Sequence, residues 1–288
     1  MRITNIMIQK NLMAGLRGRM SGLAKASTEA TTGHRINTVS DNPVDASQIM
    51  RMEAQIHDIE QFRRNGTFAT TKLSVEDVAI STLRNTLTQA KGLAMSTTAA
   101  SPGDPTRLAA LSQAQTFKDQ LVALGNTRVG EQYIFGGDYS TAPPFQSNGT
   151  YVGNGSEQQV EITPGVKVST THAGGPLFTD AIAAIDNLVT QLQTGTPSQI
   201  ASAVTNIESA MQTALQTQAE VGSRMQDVKS AGTQLASQSS ALLDRRDSLM
   251  NVDPAQAIVS MQQEQGALER AYAVIGRVMQ ATLTDYLK

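Results

Sequence analysis

Ile200, Val204, Ile207, Met211, Ala214, Gln218, Val221, Met225, Val228, Gly232, Leu235, Ser239, Leu242, Arg246 and Leu249 follow one another at alternating steps of four and three residues. This is a heptad seam, the spacing with which one helix packs along another. Only Gln218, Gly232, Ser239 and Arg246 interrupt its apolar character. The seam predicts a single long helix, and a single long helix needs partners of comparable length. Thr196-Pro197 marks its start, with a capping residue ahead of a proline at the first helical position and Gln199 placed to complete a capping box.

The same start signal occurs three more times, at Asn42-Pro43, Asp104-Pro105 and Asp253-Pro254. From Pro43 a helical pattern runs to about Thr98. Ile49, Met52, Ile56 and Ile59 open it, and Leu73, Ile80, Leu83, Leu87, Ala90 and Ala94 continue it after a shift near Gly66. Such a helix is a rod on the order of 80 Å long. Ser101-Pro102-Gly103-Asp104 is a turn, and a third helix follows through Leu111, Ala114, Phe117, Leu121 and Leu124.

Between about Gln132 and Gly175 the helical period disappears and Gly, Pro, Asn and Thr crowd in. Tyr133-Ile134-Phe135, Thr150-Tyr151-Val152, Gln159–Ile162 and Val166–Val168 read as short strands joined by tight turns, with Gly136-Gly137 and Gly174-Gly175 as bounding turn residues. Helical pattern returns at Phe178. The layout is three helices, a β insertion and three helices. It predicts a mainly α fold, a long antiparallel bundle or coiled coil built by both chain halves, with a small β-rich insertion at the distal end. Three parts are expected: a terminal coiled coil of residues 1–42 plus 252–288, a helical bundle of 43–131 plus 178–251, and an insertion of 132–177.

The two ends carry matching seams. Ile6, Met13, Leu16, Met20 and Leu23 form one; Ile258, Met261, Leu268, Tyr272, Ile275, Met279 and Tyr286 form the other. They are the candidate inter-subunit contacts. The first holds Gly15, Gly18 and Gly22, and the last Gly266 and Gly276. Each such glycine costs a helix roughly 1 kcal/mol relative to alanine. The ends are therefore expected to order on assembly.

Net charge is −2, which gives bulk electrostatics no reason to favour nucleic acid or a membrane. With no cysteine there is no disulfide and no thiolate metal site. No apolar run reaches spanning length, and the start lacks the apolar stretch of a cleaved secretory signal. Residues 1–35 hold six basic residues against Glu29. That reads as a polar face in an assembly, because a presequence or membrane helix needs no matching C-terminal seam.

His34, His57 and His172 are scattered and lack metal-ligand spacing. Asp41 and Asp45 beside Pro43 read as helix-start acids. No catalytic constellation, cofactor loop or metal set is visible. A structural assembly protein and a coiled-coil scaffold or signalling protein of the cytosol both remain compatible with the heptads.

Particular residues go further. Met1-Arg2-Ile3-Thr4-Asn5 with Asn11-Leu12, the link Thr32-Gly33-His34-Arg35-Ile36-Asn37 followed by Ser40-Asp41-Asn42-Pro43-Val44-Asp45-Ala46, Glu131-Gln132-Tyr133-Ile134-Phe135-Gly136-Gly137, and the ending Asp285-Tyr286-Leu287 together resemble the hook–filament junction proteins of the bacterial flagellum, within the flagellin family. A flagellin-type filament subunit shares the helical plan and is the alternative. The proline turn and the Tyr-Ile-Phe-Gly-Gly run are similar to the junction proteins. The resemblance covers most of the chain, and the insertion only in position and size. It implies a structural, non-enzymatic and extracellular protein that leaves through the flagellar type III export channel without a cleaved signal. Its end helices would line an inner tube in a ring of copies. Hook-associated protein 1, flagellin and an export chaperone on the C-terminal helix are the implied partners. Arg35, Asp41, Asn42, Pro43, Asp45, Asp253 and Pro254 are then candidates for the capped hinge between the ends and the bundle.

Overall fold

A computed structural model describes residues 2–138 and 141–286, with the side chains of 2–6, 8, 9 and 279–286 outside the description. Six helices carry it: α1 (Arg2–Thr32), α2 (Pro43–Thr97), α3 (Pro105–Gly125), α4 (Gly174–Thr194), α5 (Pro197–Met250) and α6 (Pro254–Tyr286). Between α3 and α4 lie β1 (Arg128–Val129), β2 (Gln132–Tyr133), β3 (Gln159–Thr163) and β4 (Val166–Ser169). They pair as two antiparallel hairpins, β1 with β2 and β3 with β4. The mainly α plan with a small β insertion is borne out, including the unbroken helix from Pro197 to Met250.

The caps explain why the helices begin where they do. Asn42 Oδ1 accepts from the backbone N–H of Val44 and Asp45, and Asp104 Oδ1 from Thr106. Thr196 and Gln199 form a reciprocal box, with each side-chain oxygen accepting the other's backbone N–H. Asp253 Oδ1 accepts from Ala255. Each oxygen satisfies N–H groups that the first turn leaves without helical partners.

The chain divides into two compact units, residues 1–58 with 238–288 and residues 59–237. In the first, α1 and α6 run antiparallel, marked by the Arg19–Glu264 ion pair at 3.4 Å and the bridge between His34 and Asn251. Ile36, Ala46 and Ile49 make a small core there with Leu249 and Met250.

The second unit holds the main core. Ile80, Leu83 and Leu87 of α2, Ala114 and Leu121 of α3, Ile185 and Leu188 of α4, and Ile200, Ile207 and Val221 of α5 are buried together. Within this unit α5 returns antiparallel to α2: Lys91 pairs with Glu208 at 2.6 Å, and Arg84 donates to Gln218 at 2.6 Å. Antiparallel α3 and α4 pack alongside, with Lys118 and Asp186 2.7 Å apart.

The insertion departs from expectation in detail. Of Tyr133-Ile134-Phe135 only Tyr133 is in a strand; Ile134 and Phe135 turn into the core, where Phe135 meets Phe178 edge-on at 4.7 Å between ring centres. Phe145 joins them at 5.7 Å from Phe178 and 5.0 Å from Tyr151. Burying these rings outweighs what two more ladder residues would contribute. Thr150–Val152 yields only an isolated bridge between Phe145 and Tyr151. α4 begins at Gly174 rather than Phe178, so Gly174-Gly175 is the first helical turn and not a boundary turn. A Cβ on Gly174 would lie 2.6 Å from that of Phe135, so the helix can start there only without one. The insertion is held against α2: Asn65 donates to the carbonyl of Glu161 at 2.8 Å, and Lys72 Nζ to Gln132 and Gln158 at 2.9 and 2.7 Å.

Candidate assembly surface

Every expected contact residue on the two end seams with a described side chain is at least partly exposed. Leu16, Leu23, Met261, Leu268 and Ile275 are half-buried. Met13 is 55% exposed, Met20 51%, Ile258 47% and Tyr272 51%. Ile6, Met279 and Tyr286 lie outside the described side chains. Met7, Val259 and Val274 extend the exposed apolar surface. A helix pair that buried all its apolar positions would need no other partner. This one leaves a row of methionine, isoleucine, valine and tyrosine in water. Around Gly15, Gly18 and Gly276, no described atom beyond their chain neighbours and their own helix backbone lies within 4 Å of where a side chain would begin. Backbone can therefore be approached closely at those points.

The link between α1 and α2 is a built joint. Gly33, at φ +74°, ends α1 by donating to Glu29 at 2.9 Å, a left-handed stop that favours glycine. The chain then pairs with the link between α5 and α6: Arg35 N–H donates to the Met250 carbonyl at 2.7 Å, and Val252 N–H to Gly33 at 2.9 Å. Arg35 Nη2 reaches Asp45 at 3.1 Å and the Leu249 carbonyl at 3.0 Å, so one guanidinium touches the start of α2 and the end of α5. Asn42 Nδ2 also donates to Asp45. Pro43 and Pro254 stand at the first positions of α2 and α6, with Asp253 capping the latter.

Asp41 does something other than start a helix. Its carboxylate accepts the N–H of Thr38 at 2.8 Å and of Asn37 at 3.1 Å, closing the loop before Asn42. The backbone bond from Thr38, then that from Asn37 and the Thr38 hydroxyl bond, hold its carboxyl below the usual range, with Lys25 adding to the effect. This part of the joint is intact above ordinary carboxylate values and is lost as pH falls through the lowered one.

Three buried charges were not singled out from the sequence. Arg107 fans its guanidinium over the end of α4, donating to the carbonyls of Gln191, of Leu192 at 3.1 Å and of Gly195 at 2.9 Å. Lys72 has no exposed surface to speak of, and burial pushes its amine down. Glu76 is fully buried against His172. The signal was present: Glu76 falls three residues after Leu73 and four before Ile80, and Arg107 four before Leu111, so both stand on seam positions where a charge is out of character.

Two family descriptions match the chain, the bacterial flagellin N-terminal helical region over residues 3–140 and the bacterial flagellin C-terminal helical region over residues 204–287. Together they span more than half of it, and the chain belongs to the flagellin family. Within that class it is similar to flagellar hook-associated protein 3 of Escherichia coli strain K12, at 24% identity over 93% of this chain and 94% of that protein. The fold is similar to the crystal structure of Bacillus cereus FlgL, with a TM-score of 0.62 and 22% identity over 68% of this chain and 99% of the other. It is also similar to that of the flagellar junction protein FlgL from Legionella pneumophila, with a TM-score of 0.57 and 15% identity over 72% of this chain and 100% of that one. The resemblance carried by the two ends and the Pro43 turn is borne out. Among the described residues no helix is long and apolar enough to cross a membrane.

Proposed function

We propose that this chain is a structural, non-catalytic subunit of the bacterial flagellum, acting at the junction of hook and filament. The observation that carries this reading is the unpartnered apolar surface of α1 and α6, with Met13, Met20, Ile258 and Tyr272 exposed. In the assembly these residues, with Ile6, Leu16, Leu23, Met261, Leu268, Ile275, Met279 and Tyr286, pack against neighbouring copies and line an inner tube. Residues 1–42 and 252–288 act as one part that orders on assembly, and the joint around Arg35, Asp41, Asn42, Pro43, Asp45, Asp253 and Pro254 sets its angle. A ring of copies rests on hook-associated protein 1 and offers flagellin a compatible surface. Export proceeds through the flagellar type III channel without a cleaved signal, with a chaperone covering the C-terminal helix beforehand. The name of the Escherichia coli relative supports the junction over a filament subunit.

Deleting the gene and examining cells by electron microscopy tests this. Hooks without filaments, with flagellin shed into the medium, are expected. Filament loss without shed flagellin would make this chain the filament protein, and normal filaments would eliminate both roles.

A further inference from the structure

His172 lies in the loop between β4 and α4, inside the unit of residues 59–237. Its two ring nitrogens meet carboxylates on opposite edges. Nδ1 is 2.6 Å from Glu76 Oε1 on α2, and Nε2 is 3.0 Å from Glu220 Oε2 on α5. A neutral imidazole has one N–H and one lone pair, so only the imidazolium donates to both. The opposed carboxylates do not converge on a point where an ion could sit, and no metal-binding cluster occurs among the described residues.

The surroundings make the charge consequential. From α2 the ring faces Glu76, with Lys72 one turn earlier held by Gln132 and Gln158. From α5 it faces Glu220 and Arg224. Arg224 Nη1 is 3.3 Å from Nδ1, while its Nη2 reaches both oxygens of Glu157, in the loop before β3, at 3.1 and 3.0 Å. Glu76 is 0% exposed, and its second oxygen has no hydrogen-bond partner. A carboxylate so placed needs a positive neighbour, because a buried charge without one is expensive to keep. Losing the proton of His172 removes the cation bonded to Glu76 and turns one ring nitrogen into a lone pair facing a carboxylate.

We propose that His172 is a protonation-dependent latch that pins the β3–β4 hairpin and the loop after it to α2 and α5, and that it opens as pH rises. Burial alone depresses the imidazole and Arg224 depresses it further, but the bonds and charge of Glu76, with the bond to Glu220, outweigh them and leave it above its usual 6.5. A raised histidine value means that the latch is fully effective below about 6.5 and is lost as pH rises through the higher folded value.

The test uses the full chain, following the His172 ring by proton NMR and amide exchange at Val160 and Val168, which face each other across β3 and β4. The ring should titrate above about 6.5. Across that titration, hairpin protection corrected for intrinsic exchange should fall about tenfold for each unit by which the ring is raised, while Leu87 in the bundle core keeps its protection. His172→Gln should remove the pH step and leave the hairpin weakly protected throughout. Glu220→Gln, at a mostly exposed side chain, keeps the buried pair and should move the ring's titration downward. A ring that titrates at or below about 6.5, or hairpin protection unchanged through the titration, would overturn the proposal.

Discussion

Two seams with the same spacing meet opposite fates in this molecule. On α5, Ile200, Ile207, Val221, Val228 and Leu235 are buried within the unit of residues 59–237 or at its edge. On α6, Ile258 and Tyr272 stand in water, as do Met13 and Met20 on α1. The period is identical; the number of helices within reach differs. The α5 seam shares one buried cluster with residues of α2, α3 and α4, whereas α1 and α6 pack on each other and, among the described residues, bury only Ala26 and Ala257. A heptad therefore states that a face will be covered. Whether the cover comes from the same chain is decided by how many helices the topology brings alongside.

The comparison breaks most visibly by truncation. Removing residues 252–288 should abolish assembly completely, as followed by sedimentation, while residues 59–237 keep a cooperative thermal transition. Loss of that transition would mean that the two units are one. Phe178→Ala is the mirror experiment inside the buried unit. It removes a ring packed on Phe135 and Phe145 and should cost about 3–5 kcal/mol in urea unfolding. Tyr272→Ala, at an exposed seam position, should change stability by no more than about 0.5 kcal/mol and still impair assembly. Arg107→Met strands the carbonyls that end α4, at an expected cost of about 2 kcal/mol. One substitution has the opposite sign. Gly18→Ala should stabilise the α1 helix by about 1 kcal/mol, since nothing occupies the space its methyl would enter. In the assembly the same methyl should hinder a neighbour's approach, seen as slower polymerisation.

Helical architecture was legible because its determinants are local. Pro43, Pro105, Pro197 and Pro254 with their caps define four starts, and long seams define what lies between. The insertion was read less well because its determinants are not local. Ile134 and Phe135 alternate like a strand, but Phe178 and Phe145, distant in sequence, draw them into the core. Gly174 could be understood only once Phe135 was seen against it. The joint was half visible: Asn42 and Asp253 follow from the proline rule, whereas the reach of Arg35 to the Leu249 carbonyl joins residues far apart in the chain. His172 was dismissed for want of a neighbour at ligand spacing, and its partners Glu76 and Glu220 come from two other elements.

The central claim is that the end seams are reserved for other subunits, and amide hydrogen exchange before and after assembly tests it most directly. In the free chain Leu16 and Ile275 should exchange fast while Ile207 and Leu87 are protected, and in the assembled structure Leu16 and Ile275 should become as slow as Ile207. Protection at Leu16 and Ile275 that already matches Ile207 in the free chain, and does not rise on assembly, would contradict it.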